Sequence, residues 1–68
     1  MVGLMGNFNT FQLKFKKSRV SLQFIQDMTF FSNDAREDGN YLVFTIPLDK
    51  EQDVSFYLGV SISKPVYQ

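Results

Sequence analysis

Cysteine, histidine and tryptophan are all missing from this sequence of 68 residues. Without Cys, no disulfide or thiolate metal site braces the fold. Without Cys and His, the usual zinc ligand sets, thiol nucleophiles, Ser-His-Asp triads and imidazole acid–base pairs are excluded. A surplus of charge is lacking too. Seven Lys and Arg balance seven Asp and Glu, which argues against a general polyanion binder. No apolar run approaches the roughly 20 residues of a membrane span, and "MVGLMGNF" lacks the basic start of a secretory leader. "MGNFNT" from Met5 fits a myristoylation pattern, but that signal needs a mature N-terminal Gly and is not read as functional. A cytoplasmic chain with no membrane association, no metal and no cofactor is expected.

Core material, by contrast, is plentiful: 44% of residues are hydrophobic and 16% aromatic, eight of them Phe. A domain this small buries only about 60% of its unfolded surface, so self-association into a homo-oligomer is the expected extra support. The chain reads as a single small β domain over 1–68, with 1–7 a flexible N-terminus.

The dominant hydrophobic period is two. Phe11, Leu13 and Phe15 alternate with polar residues, as do Val20, Leu22 and Phe24. Leu42, Phe44, Ile46 and Leu48 follow the same rule, and so do Val54, Phe56, Leu58, Val60 and Ile62. Strict alternation of β-branched and aromatic residues predicts half-buried antiparallel strands at 9–16, 19–30, 41–48 and 54–63. The break at Gln26–Asp27 predicts a bulge, and Gly59 a bend. The expected fold is all-β: a single small antiparallel sheet of four to five strands, curled into an SH3-like or OB-like barrel. Turns at Lys17–Ser18 and 49–53 would pair Phe15 with Val20, Leu13 with Leu22, Phe11 with Phe24, Leu48 with Val54, Ile46 with Phe56 and Phe44 with Leu58. Those pairs put one apolar set on a shared face. In "SNDAREDGN", Ala35–Glu37 is read as one helical turn, and Asp38-Gly39-Asn40 as a turn before the third strand.

The basic cluster Lys14, Lys16, Lys17 and Arg19 raises the question of a nucleic-acid contact. Up-and-down topology would set its tip beside Asp49, Glu51 and Asp53, cancelling most of the long-range field. No aromatic platform stands on the outward face of that first hairpin, as single-strand binders require. Asn33, Asp34, Glu37, Asp38 and Asn40 gather oxygens, but without calcium-loop spacing. The acidic residues lie in turns or polar runs, so no carboxylate pair with a raised pKa is expected, and the chain is not read as an enzyme.

Apolar residues of the opposite parity remain. Tyr41, Val43 and Tyr57, with Ile25 and Phe31, point away from the expected core. They either fill a second core layer, since bulges flip parity, or form the candidate partner-binding surface. Phe8 and Tyr67 would extend that surface or cap the core. Tyr57→Glu is expected to keep the fold and to abolish either self-association or partner capture. The functional expectation is a non-enzymatic protein-binding module, such as a small inhibitor, adaptor or assembly subunit, acting through an exposed aromatic sheet face. A phage-like accessory role is suggested by association alone. The alternative is a single-stranded nucleic-acid binder using the basic tip.

Overall fold

A computed structural model describes residues 9–63. Phe8, Tyr67, the expected flexible segment 1–7 and the start of the myristoylation-like stretch lie outside the described residues. Within them the chain runs β1 (Thr10–Lys16), α1 (Leu22–Phe31), β2 (Asp34–Asp38), β3 (Tyr41–Pro47) and α2 (Glu51–Ser63). Short 3₁₀ turns at Lys17–Arg19 and Leu48–Lys50 lead towards the two helices. The sheet is open, in the order β1-β3-β2, and β3 is antiparallel to both neighbours. This overturns the expected all-β barrel of four to five strands: three strands and two helices replace it.

β1 and β3 form where alternation predicted strands, but they pair with each other. Phe11 lies opposite Ile46, Leu13 opposite Phe44 and Phe15 opposite Leu42. The expected hairpin registers, Phe11 with Phe24 among them, do not occur, because residues 19–30 contain a helix. Ser21 caps it: its Oγ accepts the Phe24 N–H at 3.0 Å, satisfying one of the orphan donors of the first turn. Phe24, Met28 and Phe31, at i, i+4 and i+7, then share the sheet-facing side, with Phe24 and Met28 buried. Ser32 closes α1 by donating its N–H to the carbonyls of Met28 and Thr29.

Residues 54–63, expected as a strand, lie in α2. The acids Glu51 and Asp53 occupy its first turn, where the positive end of the helix dipole favours them. Val54 is buried, with Tyr57 and Leu58 packed against the same core, an i, i+3, i+4 pattern. The expected helical turn at Ala35–Glu37 is instead part of β2, whose five residues are all exposed. β2 is held by its partner rather than by its composition. Gly39, with φ of 64°, turns the chain back so that Asp38 faces Tyr41. Positive φ at the first of two turn residues alone is the pattern of a II′ hairpin, which favours Gly there.

Both helices cover one face of the sheet. Phe24, Met28, Leu42, Phe44, Ile46 and Val54 make a single buried cluster, flanked by Phe11, Leu13, Phe15, Val20, Ile25, Phe31, Tyr57 and Leu58. Phe15 meets Phe24 edge to face at 5.1 Å between ring centres, a favoured aromatic geometry. Each fully buried side chain in this cluster contributes about 1.5–3 kcal/mol of transfer free energy.

Candidate functional site

The five residues of the expected aromatic surface divide between two layers. Tyr41 and Val43 are on the outer face of β3, opposite Leu42 and Phe44, as parity required. Ile25 and Phe31 are on α1 and Tyr57 on α2, all half-buried against the core from the other side of the sheet. Val43 is only 5% exposed. Its register partners are Lys14 and Arg36, whose long aliphatic stems are suited to covering an apolar neighbour. Gly59, expected to bend a strand, is in α2, where nothing approaches the space a Cβ would fill.

Tyr57 joins the two helices. Its hydroxyl donates to Asp27 Oδ2 at 2.5 Å, while Gln23 Nε2 donates to Asp27 Oδ1 at 2.9 Å. The ring sits 6.1 Å from that of Phe24 and 5.6 Å from that of Phe31, centre to centre. The Tyr57 hydrogen bond, followed by that from Gln23, holds the Asp27 carboxyl below its ordinary value against a smaller opposing effect of burial. Burial, then the same hydrogen bond, pushes the Tyr57 phenol up. Sequence reading took Tyr57 as outward-facing because it assumed a strand there.

The basic residues fall in two groups. Lys14 and Lys16 are exposed on the outer face of β1, and Lys17 and Arg19 in the 3₁₀ turn beyond it. The antiparallel register puts Lys16 level with Tyr41, and Pro47 at the far end with Thr10. Asp49, Glu51 and Asp53 therefore follow the opposite end of the sheet from the basic turn. The expected cancellation by that acidic tip does not occur. The partner of Lys17 is Glu37, at 3.2 Å, with both side chains well exposed; such a pair is worth about 0–1 kcal/mol. The pairing of β1 with β3 also supplies an aromatic neighbour that the sequence reading did not find: Lys14 Nζ stands 4.9 Å from the Tyr41 ring centre, within cation–π range.

The acidic loop is a strand. Asp34 and Asp38 alternate with Glu37 along β2, so their side chains emerge on different faces of the sheet. Among the described residues, no group of three or more acids is placed to hold a metal ion. Likewise, no helix there is long and apolar enough to cross a membrane. A recess of about 440 Å³ at the start of α2 is lined by Leu48, Asp49, Glu51, Gln52 and Ser55.

The feature that alternation concealed is on the helices. Leu22 and Phe30 on α1 are 71% and 76% exposed, and Phe56 and Ile62 on α2 are 77% and 80% exposed. Val60, one turn after Phe56 on the same side, is also exposed. Lys50 Nζ lies 5.3 Å from the Phe30 ring centre, leaving that ring otherwise largely open. Residues at i and i+4 share a helix face, so the Phe56–Val60 spacing was the available signal. Comparison with protein-family models, curated proteins and solved structures finds no match to the chain.

Proposed function

We propose that the chain is a non-enzymatic protein-binding module, an inhibitor, adaptor or assembly subunit, whose contact surface is the helical layer rather than the sheet face. A cytoplasmic setting belongs to the same proposal. The observation that carries it is the set Leu22, Phe30, Phe56 and Ile62, each more than 70% exposed. Burying one such side chain is worth about 1.5–3 kcal/mol, and on α2 Phe56 and Val60 share one exposed face as adjoining apolar residues of a contact surface do. Aromatic residues are moreover the preferred anchors of such surfaces.

The test compares the wild type with Phe56→Glu and Phe30→Glu. Both variants keep the native circular dichroism, because neither side chain is in the core. Both lose capture of the protein that the wild type retains from its native cell. Unchanged capture by both variants would mean that the helices are not the contact surface.

A second reading is favoured by one observation. Lys14, Lys16 and Tyr41 come together on the outer sheet face, the elements of a platform for single-stranded nucleic acid. Binding of a fluorescent oligonucleotide that weakens steeply with salt and is lost in Tyr41→Ala supports it. Absence of binding at low salt removes it.

A further inference from the structure

The two edges of the sheet differ in charge. β1 forms one edge and β2 the other, and among the described residues no strand lies beyond either. The direction of their backbone groups follows from the ladder. Leu48 N–H donates to the Asn9 carbonyl and Lys17 N–H to that of Asn40, both at 2.8 Å. These bonds continue the β1–β3 register at its two ends. Hydrogen-bonded pairs alternate along an antiparallel ladder, so Phe11, Leu13 and Phe15 direct their backbone groups to β3. Gln12, Lys14 and Lys16, all exposed, direct theirs to the edge of the sheet, as does Thr10, which is itself buried. By the same alternation Tyr41, Val43 and Thr45 bond Asp38, Arg36 and Asp34. The backbone groups of Ala35 and Glu37 then face outward from β2.

Charge decides which edges are compatible. From Thr10 to Gln26 the chain carries Lys14, Lys16, Lys17 and Arg19 and no acid. β2 carries Asp34, Glu37 and Asp38 against Arg36 alone. Two copies meeting β1 to β1 would bring lysines together, and two meeting β2 to β2 would bring carboxylates together; like charges across strands are destabilising. Unlike edges attract. If β1 runs parallel to β2 of the next copy, one register sets Thr10 level with Asp34, Gln12 with Arg36 and Lys14 with Asp38. No like charges oppose each other, and all six side chains emerge on the outer face. In that register Gln12 offers its N–H and carbonyl between Ala35 and Glu37, whose own groups face it. The slanted bonds of a parallel ladder require this arrangement. The helices of both copies stay on one side of the joined sheet.

We propose that this chain assembles head to tail, with the basic edge β1 of one copy pairing in parallel with the acidic edge β2 of the next. Such a contact is heterologous, so copies add beyond a dimer into a ring or an open array. The proposal uses the sheet edges and is independent of the helical surface.

Sedimentation of the full chain over a range of concentrations tests it. At low salt the mass rises past that of a dimer. It falls as salt is added, since the screening length shrinks from about 10 Å at 0.1 M to about 3 Å at 1 M. Lys14→Glu and Asp38→Lys, each shown to fold by circular dichroism, weaken association by about tenfold, as expected for turning a facing attraction into repulsion. An equimolar mixture of the two variants restores it, because each supplies the edge that the other needs. Phe56→Glu leaves it unchanged. A monomer at every concentration in low salt overturns the proposal. So does growth that stops at a dimer, indifference to both reversals, or a mixture that fails to recover.

Discussion

Replacing Tyr57 by Phe removes one hydroxyl and leaves the ring between Phe24 and Phe31. The hydroxyl is one of two donors holding the Asp27 carboxylate, and it is the link between α2 and α1. A hydrogen bond to a charged acceptor contributes about 1.5–3 kcal/mol. Asp27 is half-buried and keeps access to water, so the expected loss is smaller, about 1 kcal/mol, or about 4–8 °C in Tm for a domain of this size. The pH dependence is more diagnostic than the size. The folded-state value for Asp27 lies below its unfolded value. Its contribution is therefore complete above the ordinary carboxylate range, near about pH 4, and is lost as pH falls through the folded value. Tyr57→Phe removes the largest cause of that shift, so its stability declines less steeply in acid than that of the wild type. On the alkaline side the sign reverses. The Tyr57 value is raised, so the wild type has the full benefit of the neutral phenol below about pH 10 and loses it as pH rises through the folded value. Thermal unfolding followed by circular dichroism across pH 2–11 reads both limbs. A Tm within about 1 °C of the wild type, with the same acid limb, would refute the bond and leave ring packing alone to hold the helices together. Tyr57→Glu, harmless on the expectation of an outward tyrosine, puts a carboxylate beside Asp27 and is expected to unfold the domain.

Three further outcomes follow from the same structure. Ile46→Ala, at a fully buried position, costs about 2–5 kcal/mol in denaturant unfolding, whereas Leu22→Ala changes stability by no more than about 0.5 kcal/mol; comparable losses at the two would contradict the helical assignment of Leu22. Ser21→Ala costs about 1 kcal/mol by removing the cap of α1, measured as a drop in the urea midpoint with unchanged slope. Gly59→Ala raises Tm, since Ala is better than Gly by about 1 kcal/mol in a helix interior and the added methyl meets nothing. Gly39→Ala lowers Tm, because an L side chain at this positive φ costs about 1–2 kcal/mol of stability. Equal signs at the two glycines would be inconsistent with this backbone.

Much of β1 and β3 was legible because a strand half-covered on one face must alternate, and both segments do. The glycine turn after Asp38 was legible for a similar reason: few residues other than Gly accept positive φ. The two helices were misread for one shared cause. In α1 the exposed Leu22 and Phe30, and in α2 the exposed Phe56, Val60 and Ile62, fill the even positions between buried residues. They imitate a period of two over a segment whose buried set, Phe24–Met28–Phe31 or Val54–Tyr57–Leu58, follows the helical period. Surface apolar residues thus both hid the helices and supply the contact surface proposed for them. Of the expected site, only Tyr41 is exposed on the outer side of the sheet; Val43 lies on that side but is buried, and Tyr57, Ile25 and Phe31 belong to the other layer with the helices that carry them.

Composition by itself determined the absence of thiol and imidazole chemistry, the neutral charge and the supply of apolar side chains for a core, since these depend only on which residues are present. Local pattern determined β1, β3 and the turn at Gly39, where neighbours along the chain set the backbone. Only the tertiary structure decided that β1 pairs with β3 rather than with the segment after it, that the charged stretch Asp34–Asp38 is a strand, and that Glu51–Ser63 is a helix. Each of those choices rests on contacts beyond immediate chain neighbours: Phe15 with Leu42 and Arg36 with Val43 across the sheet, and Tyr57 with Asp27 between the helices. Local propensity is worth tenths of a kcal/mol per residue, about 0–0.7 for most residues in a helix, and burial of a side chain is worth several times more. Where the two conflict, the packing of the whole chain prevails.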